Sequence, residues 1–137
     1  MIPLPRLLPL KNESIAVIRQ FEPNAQLGPL FPKTRKGTVA HLRPPRENIE
    51  RSDEAAQARW IIFPRWRDSS PTQLRPMPLS RSFLMLATNS FNYEVLGESA
   101  FRTVEYLVRH CRCYSLVYSD LNEAVSLLDT LIDENCA

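Results

Sequence analysis

Proline divides this chain into two parts, because ten of its 12 prolines precede residue 76. Proline has no backbone N–H and a fixed φ, so it shortens helices and interrupts the hydrogen bonding of a sheet. The first 75 residues are therefore predicted to form loops and short strands. Residues 76–137 are predicted to form longer, more regular elements.

Charge divides the chain at the same point. Residues 1–75 contain 13 Lys or Arg against 7 Asp or Glu, whereas residues 76–137 contain 4 against 8. A length of 137 residues is sufficient for one hydrophobic core. We therefore expect a single domain over residues 1–137, with a basic, proline-rich half and a regular, acidic half.

Apolar spacing predicts the elements of the second half. It indicates helices over 81–90, 98–110 and 121 to about 132, and a strand over 114–118. Asp120 and Glu123 have the spacing of a capping box for the last helix. The inward-facing positions predicted on the first two helices are Phe83, Leu84, Leu86, Ala87, Phe101, Val104, Tyr106, Leu107 and Val108.

The first half carries fewer signals. Asn12 is predicted to cap a helix that ends before Pro23, and residues 28–36 are predicted to form an irregular loop. Strands are expected over 38–42 and 60–63, the latter closed by Pro64, with 73–75 as its antiparallel partner. Together these elements indicate an α+β fold with a small mixed or antiparallel sheet and about four helices.

The cysteines and apolar segments indicate a reduced, cytoplasmic protein. Three cysteines cannot all pair, and Cys111 and Cys113 are predicted to point in opposite directions; Cys136 lies near the end of the chain. His110, Cys111 and Cys113 lack a second ligand pair, so no metal site is predicted. No apolar run reaches 18 residues, and three prolines interrupt the first ten. A membrane span and a secretory signal are therefore not expected.

Two short segments carry groups suited to phosphate. Lys11, Asn12 and Glu13 lie at a predicted helix start, where free N–H groups and the helix dipole favour an anion. Lys33, Arg35 and Lys36 form a basic loop, and arginine and lysine both bind phosphate. From spacing alone, an ordinary helix cap and a solvated turn explain the same residues.

Other candidate chemistry is weaker. His41 lies in a predicted strand with Arg43 after it; a base at neutral pH and a packed histidine are both open readings. Aromatic and arginine residues alternate over 59–67, as on surfaces that bind single-stranded nucleic acid. A core strand with charged flanks explains that pattern better, so nucleic-acid binding is not favoured.

The small number of glycines excludes two common nucleotide-binding loops. With Gly28, Gly37 and Gly97 as its only glycines, the chain contains neither a Gly-x-x-x-x-Gly-Lys-Ser/Thr loop nor a Gly-x-Gly-x-x-Gly loop. The basic segments therefore have the character of one part of a phosphate site whose other part is elsewhere.

Five segments, in order and spacing, resemble the C-terminal part of the HPr-kinase-related kinase A family, relatives of HPr serine kinase/phosphorylase with a fold akin to phosphoenolpyruvate carboxykinase. The matching segments are LPLKNESIAVI, KGTVAHLRPP, RWIIFPRW, LATNSFNY and SDLNEAVSLLD. The resemblance implies a bacterial protein serine kinase that uses ATP and Mg²⁺ and acts on a protein or peptide, with a PqqD-like protein as a partner.

The resemblance also limits what this chain does alone. The P-loop and the aspartate of that family precede the matched segment, so no catalytic residue is carried over. It places Lys11, Asn12 and Glu13 near the phosphates and Lys33, Arg35 and Lys36 at the rim, with His41 and Arg43 as further candidates. We expect a fragment or split part, inactive alone, that self-associates through an exposed apolar face. The alternative is a non-catalytic protein- or peptide-binding module.

Overall fold

The computed structural model describes residues 2–134 and divides the chain into two compact units, Met1–Gln57 and Ala58–Ala137. Each unit contains one three-stranded sheet, and the described residues include six helices. The α+β class is therefore confirmed, with two small sheets. Four of the six helices contain nine residues or more, and the other two have five and four. The expectation of one domain stays a prediction.

The first unit is an antiparallel sheet with two helices. Its strands and helices are β1 (Leu8–Lys11), α1 (Glu13–Phe21), β2 (Phe31–Thr34), β3 (Gly37–Leu42) and α2 (Arg46–Glu50). The strand order is β1-β3-β2, with Lys11 opposite Val39. Ile15 of α1 and Ala40 of β3 are buried. Side chains alternate between the two faces along β3, which turns Ala40 to one face of the sheet.

Sequence reasoning missed two strands of this unit, β1 and β2. Pro32 lies within β2, where residues 28–36 were expected to form an irregular loop. Pro9 lies within β1, for which no element was predicted. Both strands are edges of the sheet, and an edge strand tolerates a residue whose missing N–H faces away from its neighbour.

The second unit is a mixed sheet with four helices. Its elements are β4 (Trp60–Trp66), β5 (Gln73–Pro76), α3 (Leu79–Thr88), α4 (Tyr93–Leu96), α5 (Glu98–His110), β6 (Arg112–Tyr118) and α6 (Leu121–Asp133). The order is β4-β6-β5, in which β6 is parallel to β4 and antiparallel to β5. The prediction that residues 73–75 pair with the 60–63 strand was wrong, because β6 lies between them. Pro64 also does not end β4, which continues to Trp66.

The core of the second unit is built around α5 and β6. Its buried residues are Ser82, Ala100, Val104, Val108, Cys111, Cys113, Leu116 and Ala124. The rings of Phe83 and Phe101 lie 5.2 Å apart between α3 and α5. Leu84 and Tyr106 were predicted to face inward and are instead more than 60% exposed, and Phe101 is 49% exposed.

The two described cysteines are both buried and free. The prediction that Cys111 and Cys113 point in opposite directions was wrong, since residues two apart along an extended chain share a face. Cys136 lies outside the described residues. Within residues 2–134, every helix is too short or too polar to cross a membrane.

Candidate functional site

The two basic segments of the sequence lie side by side in the first unit. The N–H of Asn12 donates to the carbonyl of Thr38 at 2.9 Å, and the N–H of Thr38 donates to Oδ1 of Asn12 at 3.0 Å. This pair extends the β1–β3 ladder by one step. It holds the start of α1 against the turn of the β2–β3 hairpin.

Asn12 plays a different part from the one predicted. It stands at the N-cap position of α1, but its side chain makes no cap hydrogen bond and binds β3 instead. Local closure of the turn comes from Ser14, whose Oγ accepts from the N–H of Lys11 at 2.8 Å and donates to the Lys11 carbonyl at 2.7 Å. The β1–α1 junction is therefore tied both locally and across the sheet.

The hairpin turn is also closed by its own residues. The hydroxyl of Thr34 donates to the carbonyl of Gly37 at 2.7 Å and accepts from the N–H of Lys36 at 3.1 Å. Lys33 and Gly37 both have positive φ, at 57° and 84°. These bonds give the four-residue basic loop a defined backbone rather than the irregular one that was predicted.

We call Lys11, Lys33, Arg35 and Lys36 the basic surface. All four residues are exposed, and none of them takes part in a salt bridge among the described residues. Glu13 is the acidic residue in the first turn of α1. Three cations on one hairpin turn, with Lys11 at the end of the neighbouring strand β1, can attract an anion, and a backbone fixed by Asn12 and Thr34 limits how far they spread.

His41 and Arg43 lie on β3 and just after it. The ring of His41 is 6.4 Å from that of Phe31 in an edge-to-face arrangement, and the His41 carbonyl accepts from the N–H of Gly28 at 2.9 Å. Arg43 lines a surface hollow of about 1030 Å³ together with Arg46, which is paired to Glu50. His41 is thus packed against an aromatic ring, and Arg43 opens to a different surface feature from the basic surface.

The described residues do not fit a magnesium site. Within residues 2–134, no group of three His, Cys, Asp or Glu side chains lies close enough to hold a metal ion. The basic surface consists of cations, which bind phosphate oxygens and repel Mg²⁺. The basic surface therefore carries charge of the sign that attracts an anion, and we assign it no catalytic step.

Comparison with protein families, curated proteins and solved structures found no match to this chain.

Proposed function

We propose that this chain is the C-terminal part of an HPr-kinase-related serine kinase, in which the basic surface contacts phosphate groups and the remaining catalytic groups come from another segment. The observation that supports the proposal is the pairing of Asn12 with Thr38, which holds two basic segments, separate in the sequence, at one place. Phosphoryl transfer depends on positioning and charge neutralisation, and both need the missing P-loop. Alone, the chain binds phosphate and is not catalytic.

The complete enzyme transfers phosphate from Mg-ATP to a serine of a protein or peptide, with a PqqD-like protein as one partner, in the bacterial cytoplasm. Transfer needs a P-loop segment in addition to residues 1–137, so activity is expected only where the two are combined.

A titration with inorganic phosphate and with Mg-ATP, followed by amide NMR shifts, tests the phosphate contact. We expect saturable shifts at residues 11–13 and 33–37. Arg35→Gln should weaken binding severalfold, because it removes one phosphate contact from the basic surface. Arg19→Gln is the matched control: it removes the same charge from an exposed position in the last turn of α1.

The two arginine variants distinguish a specific phosphate-binding site from nonspecific electrostatic attraction. Equal weakening by the two arginine variants would show that only net charge matters, and the phosphate site would be abandoned. The absence of saturable shifts at millimolar ligand in a folded sample would also contradict the proposal.

The second candidate function is a non-catalytic protein- or peptide-binding module. It is favoured by the apolar side chains left in solvent after α3: Phe91 is 95% exposed, Val95 83% and Leu96 58%. Clustered exposed apolar residues are typical of contact surfaces. A partner whose affinity is unchanged by phosphate and by Arg35→Gln would favour this function over the first.

A further inference from the structure

The strand β4 has a free edge. In the sheet order β4-β6-β5, β4 hydrogen-bonds to β6 on one side, and no other described strand pairs with it. It is seven residues long, as long as the central strand β6. Such an edge presents a row of backbone donors and acceptors to any extended chain that approaches it.

Two hydrogen bonds fix which residues of β4 face β6. The N–H of Arg112 donates to the carbonyl of Arg59 at 2.9 Å, and the N–H of Arg67 donates to the carbonyl of Tyr118 at 2.8 Å. In a parallel ladder, the N–H and C=O of a given residue point to the same side, and the side alternates along the strand. The odd-numbered residues of β4 therefore bond to β6.

The even-numbered residues point their backbone groups to the free edge. Trp60, Ile62 and Trp66 present both N–H and C=O there, while Pro64 presents a carbonyl alone. Proline at this position leaves the ladder to β6 intact, which explains why β4 continues through it. The edge is left with three donors and four acceptors.

Side chains next to this edge indicate the chemistry of what would bind it. Ile61, Phe63 and Arg65 share one face of β4 by alternation, and Arg67 continues that face. Arg65 and Arg67 are exposed and form no salt bridge within residues 2–134. Ile61 and Phe63 are half-buried.

We propose that the free edge of β4 binds an extended acidic segment of a partner protein, which adds to the sheet as an antiparallel fourth strand. Its backbone would pair with the even-numbered residues. Its acidic side chains would lie beside Arg65 and Arg67, and apolar ones beside Ile61 and Phe63. A second copy of this chain is a poorer occupant, because it would bring the same arginines to the edge. The site is independent of phosphate binding.

A pair of labelled peptides tests the charge requirement in the full chain. One is a capped peptide of glutamate, threonine, glutamate, threonine, valine, threonine and valine, and the other has lysine in place of both glutamates. Fluorescence anisotropy at low salt should show at least tenfold tighter binding of the glutamate peptide. The double variant R65E/R67E should reverse this preference. Equal binding of both peptides, or no binding up to millimolar concentration, would overturn the proposal.

A second pair of variants separates backbone pairing from simple charge attraction. Trp66→Ala removes the exposed indole and keeps the outward N–H, whereas Trp66→Pro removes that N–H as well and leaves the bonds to β6 in place. We expect Trp66→Pro to weaken the glutamate peptide about fivefold more than Trp66→Ala does, the effect of one hydrogen bond. Equal binding by two folded variants would contradict strand addition.

Amide hydrogen exchange on the wild-type chain gives the same information without a substitution. The glutamate peptide should slow exchange at Trp60, Ile62 and Trp66 and leave Ile61 and Phe63 unchanged, since those already bond to β6. Equal slowing of exchange at the even-numbered and odd-numbered amides of β4 would overturn the proposal. Slowing at the same three amides in the protein alone, as its concentration rises, would identify a second copy as the occupant and would also overturn it.

Discussion

The side chain of Asn12 occupies the space that a Cβ on Gly37 would need. A Cβ built on Gly37 overlaps Oδ1 of Asn12, the same atom that accepts the hydrogen bond from the N–H of Thr38. Gly37 also has φ of 84°, in the region that favours glycine. The absence of a side chain at one residue thus permits the bond that joins the two basic segments.

Gly37→Ala should destabilise the first unit by about 2 kcal/mol, because alanine is strained at positive φ and displaces Asn12. Hydrogen exchange at the β3 amides measures the change in that unit. Both tryptophans belong to the second unit, so their fluorescence should remain as in the wild type. Asn12→Ala removes the obstructing amide, and the cost of Gly37→Ala should be smaller in that background.

Gly28→Ala is the matched control for Gly37. A Cβ on Gly28 would lie 3.6 Å from the His41 carbonyl oxygen, an ordinary contact, and the φ of Gly28 is not in the left-handed region. The substitution should leave β3 exchange nearly unchanged. A loss as large as that of Gly37→Ala would show that the Asn12 contact is not the cause.

Asp120→Ala should lower the free energy of unfolding of the second unit by about 1 kcal/mol, since it removes the N-cap of α6. Oδ1 of Asp120 accepts from the N–H of Glu123 at 3.0 Å. Asp120→Ser keeps an acceptor at that position and should retain most of the stability. Urea unfolding followed by tryptophan fluorescence compares them, and equal losses in the two variants would contradict the capping role.

Stability of the second unit should fall as the pH rises above about 8.5, the ordinary thiol range. Burial, with a smaller effect from the neighbouring Cys113, raises the pKa of the Cys111 thiol. The folded state therefore keeps the Cys111 thiol proton at pH values where the unfolded chain has lost it. The contribution of Cys111 to stability is complete below the unfolded pKa and is lost as the pH rises through the folded pKa.

Urea unfolding at a series of pH values measures this decline in stability. Cys111→Ala should shift the whole curve by its packing cost and should also make the decline above pH 8.5 shallower. Parallel curves for the wild type and the variant would show that the decline comes from other groups, such as tyrosines.

Phe91→Ser should reduce self-association if the exposed segment after α3 is the contact surface. Sedimentation equilibrium measures the effect, and binding of a nonpolar dye should fall in parallel. Ile132→Ser is the control, because Ile132 is an exposed apolar residue on a different helix, α6, at 44% exposure. A wild-type chain that stays monomeric and binds no dye would contradict the predicted self-association.

Sequence patterns predicted the bounds of α5 but only part of its buried face. The predicted bounds of α5 agree with the structure, and its positions 104 and 108 are buried. The Asp120 cap is confirmed, but its reciprocal half is not, since Oε2 of Glu123 accepts from the hydroxyl of Thr72 at 2.6 Å. Thr72 is 51 residues away in the sequence, so no local pattern could indicate that bond.

The prolines indicate which strands lie at sheet edges, in addition to marking where elements end. In the described strands, Pro9, Pro32, Pro64 and Pro76 all lie in edge strands, and the central strands β3 and β6 contain none. A central strand uses its backbone groups on both sides, so a missing N–H is costly there and tolerated at an edge. The sequence alone therefore contained the distinction between central and edge strands.

The sequence by itself determined the α+β class, the α5 helix, the cap of α6 and the charges of the basic surface, because these depend on residues near one another in the chain. Tertiary structure decided which strand pairs with which, and it decided that Asn12 binds Thr38 rather than its own helix. Those outcomes depend on contacts between residues far apart in sequence. Such contacts form only when burial and backbone hydrogen bonding are satisfied together.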